Sequence, residues 1–283
     1  MPILDADALA ARLFSVRLLD TRQDPGEFAA GHLPGALHAD LNRHLSTASD
    51  PGFDPARGGR HPLPDPARFA AQLGAWGIGP DTPVVAYDAS GGGNAAARLW
   101  WMLRALGHEQ AYVLDGGLPA ALAAGLTLTT EVLPVAALPP YPAAAWARPL
   151  ASLEEVAHRR RDPAFKVLDV RAPERYRGES ETLDPVAGHI PGALNAHWMD
   201  NLGPDGRFRE PGALRRDFLD LLDGTPVDRL TVHCGSGVTA CHTLLALEHA
   251  GLPGAALYVG SWSEWCRSGR DMDLGGRAGE GTR

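Results

Sequence analysis

The chain has 283 residues, 45% of them hydrophobic and 21% charged. That is a globular composition, long enough for two domains or one large α/β domain with a core that needs no covalent staples. A formal charge of −8, from 26 Lys+Arg against 34 Asp+Glu, excludes a general nucleic-acid binder, though local arginines can still hold a small anion. Three Cys with no C-x-x-C pair exclude a disulfide scaffold and leave no support for a structural zinc site. The N-terminal residues lack a basic and apolar leader, and no run of about 18 apolar residues occurs. No membrane span is expected, and the expected compartment is a reducing cytoplasm.

In chain order, short apolar runs rich in β-branched or aromatic residues predict strands at 16–20, 83–87 and 111–114, with helical patterns at 66–76 and 94–106. A stretch at 126–150 follows, with Pro134, Pro139, Pro140, Pro142 and Pro149 and little helical periodicity, and it reads as a linker. Beyond it, strands at 166–170, 229–233 and 256–259 alternate with helices at 152–161, 211–222 and 239–250. Residues 269–283, rich in glycine and charge, read as a loose tail. Trp100-Trp101 falls on a helical segment and reads as core or interface.

The second series repeats the first. Leu18-Leu19-Asp20-Thr21-Arg22 matches Val167-Leu168-Asp169-Val170-Arg171, and Gly31-His32-Leu33-Pro34-Gly35-Ala36-Leu37 matches Gly188-His189-Ile190-Pro191-Gly192-Ala193-Leu194. Further on, Val84–Asp88 matches Leu230–Cys234, and Gly116 faces Gly260. Four matches in one order with slowly drifting offsets indicate a duplicated domain. Strand–helix alternation makes each copy a small α/β domain with a mostly parallel sheet flanked by helices. The expected organisation is a first domain over 1–125, a Pro-rich linker over 126–150, a second domain over 151–268 and a tail over 269–283. Ligands of such sheets bind beyond the carboxyl ends of the strands.

At that place in the second copy stands Cys234-Gly235-Ser236-Gly237-Val238-Thr239-Ala240, after a predicted strand and opening a predicted helix. Glycines let consecutive N–H groups turn inward as an anion-binding nest, and the helix adds its positive end. That field stabilises a thiolate, so Cys234 reads as a nucleophile. Cys241, two turns down the helix, reads as structural, and Cys266 as incidental. The first copy has Asp88 in the cysteine position, followed by Ala89-Ser90-Gly91-Gly92-Gly93-Asn94. A carboxylate cannot serve as a soft sulfur nucleophile, so that loop reads as inert. It also fails the G-x-G-x-x-G dinucleotide pattern. Ala240 and His242 stand where a cysteine phosphatase would need an arginine.

The paired Gly-His-(Leu/Ile)-Pro-Gly-Ala motifs, the Cys234–Ala240 loop, Asp115-Gly116-Gly117 and Gly260-Ser261-Trp262-Ser263-Glu264-Trp265 together resemble the tandem-domain sulfurtransferases of the rhodanese family. The resemblance spans about residues 3 to 268. It implies two rhodanese-like domains, a catalytic cysteine in the second, no metal or organic cofactor, and ping-pong sulfur transfer through a Cys234 persulfide. The implied partners are a small anionic sulfur donor and a cyanide, thiol or thioredoxin acceptor, with no nucleic acid or membrane.

Cys-Gly-Ser-Gly-Val-Thr is similar to the loop of mercaptopyruvate-type members, whereas thiosulfate-type members place cationic residues after the cysteine. The implied substrate-binding residues are Arg175, Gly235, Gly237, Val238, Thr239 and Ala240. Arg175 lies in Glu174-Arg175-Tyr176-Arg177-Gly178, where such members have a carboxylate-binding arginine. Their second arginine has no counterpart in Glu179–Asp184. Arg177 or an arginine of the first copy is left to take its place. The resemblance also implies a relay of Ser236, His32 and Asp24. Read from the residues alone, His32 could equally stabilise a turn, as His189 would in the same motif, and Asp24 could cap a helix. Trp262 and Trp265 could wall off the persulfide or pack in the core. The alternative readings of the whole chain are a thiosulfate:cyanide sulfurtransferase, or a carrier or redox module that holds a persulfide without turnover.

Overall fold

The computed structural model describes residues 1–143 and 145–275. They divide into two compact units that are not contiguous in sequence. One holds Met1–Asp50, Leu63–Arg148 and Leu202–Phe208, the other Pro51–Pro62, Pro149–Asn201 and residues from Arg209 onward.

The first unit runs β1 (Ile3–Leu4), α1 (Ala6–Ala10), β2 (Arg17–Asp20), α2 (Pro25–Ala30), β3 (Leu37–His38), α3 (Pro66–Ala75), β4 (Val84–Tyr87), α4 (Ala95–Ala105), β5 (Ala111–Leu114) and α5 (Gly117–Ala123). Its sheet has the order β1-β5-β4-β2-β3, and every pairing is parallel. Strand β4 is buried along its whole length, as its unbroken apolar run requires. Helix α4 is buried nearly all round, including Trp100 and Trp101. Helix α3 starts where Asp65 accepts hydrogen bonds from the Ala67 and Arg68 amides, with Pro66 in its first turn.

The second unit runs α6 (Leu153–Arg159), β6 (Lys166–Asp169), α7 (Pro173–Tyr176), β7 (Leu194–Asn195), α8 (Pro211–Leu222), β8 (Leu230–His233), α9 (Thr239–His249), β9 (Ala256–Leu257) and α10 (Ser261–Trp265). Its sheet has the order β7-β6-β8-β9, again parallel throughout. A single parallel bridge from Leu150 to Leu257 stands where β1 pairs with β5 in the first unit. Ser152 and Glu155 form a capping box that starts α6.

All six predicted strands and all five predicted helices are present. The two-residue edge strands β1, β3 and β7 and the short helices α1, α2, α5, α7 and α10 escaped prediction, because elements this short carry too little periodicity.

The duplicated motifs have one shared explanation. Arg22 reaches back to Asp20 and donates from Nη2 to the Gly31 carbonyl at 2.7 Å. Arg171 does the same with Asp169 and the Gly188 carbonyl, also at 2.7 Å. In each unit the Asp-x-Arg at a strand end therefore pins the Gly-His-x-Pro-Gly turn.

The stretches expected as a linker and a tail both make tertiary contacts within their units. Residues 126–148 are not a free linker. Thr129 forms an antiparallel bridge with His32, Leu138 and Tyr141 donate backbone hydrogen bonds to the Gly74 and Ala70 carbonyls, and the Trp146 ring lies against Phe69 and Trp101. Likewise, residues 269–275 are not a loose tail. Asp273 bridges His189, the Asp271 carbonyl accepts from Trp265 Nε1, and Met272 packs against the core. In both units the chain leaving the last helix returns to clasp the Gly-His-x-Pro-Gly turn, and prolines or glycines suit such a strap because it makes few ladder bonds. Residues 276–283 of the predicted tail lie outside the described residues.

Candidate active site

The loop 234–238 links the carboxyl end of β8 to the amino end of α9. Cys234 is 1% exposed. Its N–H donates to Ser261 Oγ at 3.2 Å, and its carbonyl accepts from the Trp262 N–H at 3.0 Å. The Gly235 carbonyl accepts from the Ser263 N–H. The start of α10 thus clamps the loop from behind, and Ser261 takes a left-handed φ of 54° to do so. The Ser236 N–H points at Cys234 Sγ, 3.5 Å away, which is one arm of the expected nest.

Gly237 has a φ of +75°, and a Cβ there would stand 2.5 Å from the Val259 carbonyl oxygen. The position therefore admits only glycine. Val238 and Ala240 are buried and Thr239 half-buried at the helix start. The Cys241 thiol donates back to the Gly237 carbonyl, a structural role within the helix turn. Ser236 is largely buried, yet among the described residues its Oγ has no hydrogen-bond partner, so its hydroxyl is available to a ligand.

Around the loop lies a charged cluster. Arg175 holds Glu181 through Nε at 3.2 Å and Nη2 at 2.8 Å, and Glu181 also receives Arg171. Asp184 is bonded by Arg60 and by Arg267 Nη1 at 2.9 Å. Burial alone would raise the Asp184 carboxyl, but these guanidiniums more than reverse that and hold it below the usual carboxylate range. Burial opposes the Arg171 charge, but Asp169, Glu181 and Cys234 outweigh it and raise its pKa. His233, fully buried 3.9 Å from Asp169, is lowered by burial, and we read it as neutral. The Glu181 and Asp184 side chains are 2% and 0% exposed, whereas those of Arg60 and Arg175 are each 22% exposed. The acids sit behind and the guanidiniums face outward.

The other sequence candidates have local roles. Asp24 caps α2 by accepting from the Gly26 N–H at 2.7 Å. The His32 ring, fully buried and stacked on Phe28, sets Nδ1 against the Phe28 carbonyl and Nε2 against the Glu131 carbonyl. His189 repeats that arrangement, stacked on Tyr176 with Nδ1 on the Tyr176 carbonyl. The Asp24–His32 arm of the expected relay is not formed, because both side chains are engaged by the main chain of their own unit. Trp262 and Trp265 are fully buried in the core, with their indole N–H groups on the Val186 and Asp271 carbonyls.

A sequence profile described as "Rhodanese-like domain" matches residues 5–124 and 152–268. The chain belongs to the rhodanese family. It is 48% identical over 275 residues to a probable 3-mercaptopyruvate sulfurtransferase of Pseudomonas aeruginosa, covering 93% of this chain and 94% of that one. It is 40% identical to a putative thiosulfate sulfurtransferase of Mycobacterium tuberculosis, covering 88% and 87%. Among solved structures, 3-mercaptopyruvate sulfurtransferase from Leishmania major superposes with a TM-score of 0.79 at 31% identity, over 93% of this chain and 73% of that one.

The two rhodanese units differ in what fills the nest. In the first, Asp88 Oδ1 accepts from the Ser90 and Gly92 amides at 2.7 and 3.0 Å, and Oδ2 from the Asn94 amide at 3.2 Å. Burial pushes its carboxyl up, and these amides pull it partly back. That rhodanese loop carries its own carboxyl group, so its nest is filled from within.

Sequence reasoning missed Arg60, Glu181, Asp184 and Arg267. Glu181 and Asp184 lie in the very stretch noted for lacking an arginine. Arg60 was within the broad expectation of a first-copy arginine, but no motif marked it. Arg177, the other substitute considered, pairs with exposed Glu179 instead.

Proposed function

We propose that this sulfurtransferase takes its sulfane sulfur from 3-mercaptopyruvate and carries it as a persulfide on Cys234. The observation that carries the reading is Cys234 in a glycine-shaped loop whose Ser236 amide meets Sγ, flanked by outward-facing guanidiniums. The thiolate attacks the donor sulfur, a new S–S bond forms and the donor C–S bond breaks. The electron pair leaves on carbon as the enolate of pyruvate, which takes a proton to give pyruvate. Ser236 Oγ–H donates to the developing enolate oxygen. An acceptor (cyanide, a thiol or thioredoxin) then attacks the outer sulfur, and the thiolate of Cys234 leaves. Splitting the transfer into two displacements lowers each barrier, and no metal or organic cofactor enters either one. No helix among the described residues is long and apolar enough to cross a membrane, and a cytoplasmic enzyme is the reading carried forward from the sequence.

Thiosulfate is the second reading, favoured by the surplus of guanidiniums and by the name of the Mycobacterium relative. Transfer to cyanide from each donor, compared as kcat/KM on one preparation, separates them. Mercaptopyruvate is expected to be preferred, and a preference for thiosulfate overturns the donor assignment. Cys234→Ser is expected to abolish transfer from both donors. Surviving activity would refute the nucleophile and leave a persulfide-binding or redox module as the reading.

A further inference from the structure

Arg22 and Arg171 pin the same turn in the two units, but one nitrogen of each guanidinium meets a different neighbour. Arg171 uses Nε and Nη2 on Asp169 and the Gly188 carbonyl, and its Nη1 reaches the buried Glu181 carboxylate at 3.5 Å. Arg175 holds that same carboxylate from its other side. Arg22 likewise uses Nε and Nη2 on Asp20 and the Gly31 carbonyl, and among the described residues its Nη1 has no acceptor. Its side chain is only 9% exposed, so a charged donor is left without a partner in a nearly closed place. The difference is one of chain length. Seventeen residues separate Arg171 from Gly188, whereas nine separate Arg22 from Gly31, and the first copy lacks the stretch that carries Glu181.

A cavity of about 350 Å³ opens in the first unit instead, lined by Arg22, Glu27, Leu118, Pro119, Leu122 and Leu128. That volume lies at the small end of the range for small-molecule sites. The cavity sits past the carboxyl ends of β2 and β4, where sheets of this class take ligands, and Ala89, just beyond β4, also borders it. Leu122 and Leu128 are 43% and 45% exposed, an apolar wall left open to solvent. Glu27 stands where the second unit has Arg175. Each lies two residues after the proline that opens its helix, and each precedes the ring stacked on the motif histidine, Phe28 on His32 and Tyr176 on His189. The charge beside the arginine is thus reversed in sign. The Glu27 side chain is exposed and, among the described residues, forms no ion pair.

We propose that this cavity binds an α-amino acid with an apolar side chain. Arg22 Nη1 donates to the carboxylate, as Arg171 Nη1 donates to that of Glu181, and Glu27 accepts from the ammonium. Leu118, Leu122 and Leu128 cover the apolar side chain. A carboxylate alone would meet Glu27 as a like charge, and an amine alone would leave the guanidinium donor unmet, so the two charges select a zwitterion.

The test is calorimetric titration of the full-length enzyme with L-leucine, with 4-methylpentanoate, which lacks the ammonium, and with 3-methylbutylamine, which lacks the carboxylate. L-leucine is expected to bind saturably and about 10- to 100-fold more tightly than the amine, the span of a charge-assisted bond. Glu27→Gln changes an exposed side chain and leaves the fold intact. It is expected to weaken L-leucine about 3- to 5-fold and to leave 4-methylpentanoate bound at least as tightly as before, an opposition that a loss of structure would not produce. Leu122→Asp, also at an exposed position, is expected to remove L-leucine binding with the melting temperature unchanged. A wild type that does not bind L-leucine overturns the proposal, as does L-leucine bound no more tightly than either analogue. Binding that is unchanged in Glu27→Gln or in Leu122→Asp overturns it as well.

Discussion

Gly237→Ala and Gly235→Ala place the same methyl group two residues apart in one loop, and the structure gives them opposite outcomes. At position 237 the backbone has a φ of +75°, and the new Cβ would meet the Val259 carbonyl oxygen at 2.5 Å and the Val259 Cα at 3.0 Å. The left-handed conformation costs about 1–2 kcal/mol for a residue with a Cβ. The clash is with backbone, so the chain after β9 must move, adding about 1–3 kcal/mol of overpacking strain. A total of about 2–5 kcal/mol should lower the melting temperature of the second unit by roughly 10–20 °C. At position 235 the neighbours are the far ends of two flexible side chains, so Gly235→Ala should melt within about 2 °C of wild type, a change of less than about 0.5 kcal/mol. Its effect falls on the proposed donor site, where the methyl group would push Arg60 Nη2, 3.1 Å away, aside by a few tenths of an ångström and touch the Arg175 guanidinium. Calorimetric melting reads the first difference, and KM for 3-mercaptopyruvate reads the second. If Gly237→Ala melts with the wild type, or Gly235→Ala melts below it, the loop geometry described here is refuted.

Asp184→Asn tests the arginine anchor through pH. The folded carboxyl lies below its ordinary value, so its contribution to stability is complete above about pH 4 and disappears as pH falls through the folded pKa. The gap in melting temperature between wild type and Asp184→Asn should therefore hold from pH 7 to about pH 5 and close toward pH 2, and a gap that widens on acidification contradicts the assignment. His32→Phe and His189→Phe each keep the aromatic stack and lose the bond to a carbonyl, so both should cost about 1 kcal/mol of stability. A fall in kcat at His32 alone, with matched melting temperatures, would restore the relay that the sequence suggested.

The sequence by itself carried the duplication, the strand–helix alternation, and the cysteine with its glycine loop. Each of these is written locally. A strand buried on both faces needs an apolar run, a nest needs glycines beside its anion, and a repeat is visible without any fold. The local motif around Arg175 was legible for the same reason. The tertiary structure decided what depends on distant partners. Arg60 belongs to the first copy by sequence and meets Asp184, 124 residues away, in the second unit. Glu181 and Asp184 looked like the absence of an arginine and proved to be the acids that hold arginines in place. The stretches 126–148 and 269–275 looked like a linker and a tail because they lack periodicity, yet each closes its unit through one bridge to a Gly-His-x-Pro-Gly turn. An ion pair or an isolated bridge leaves no period in the chain, because its energy comes from two positions that only the folded backbone brings together.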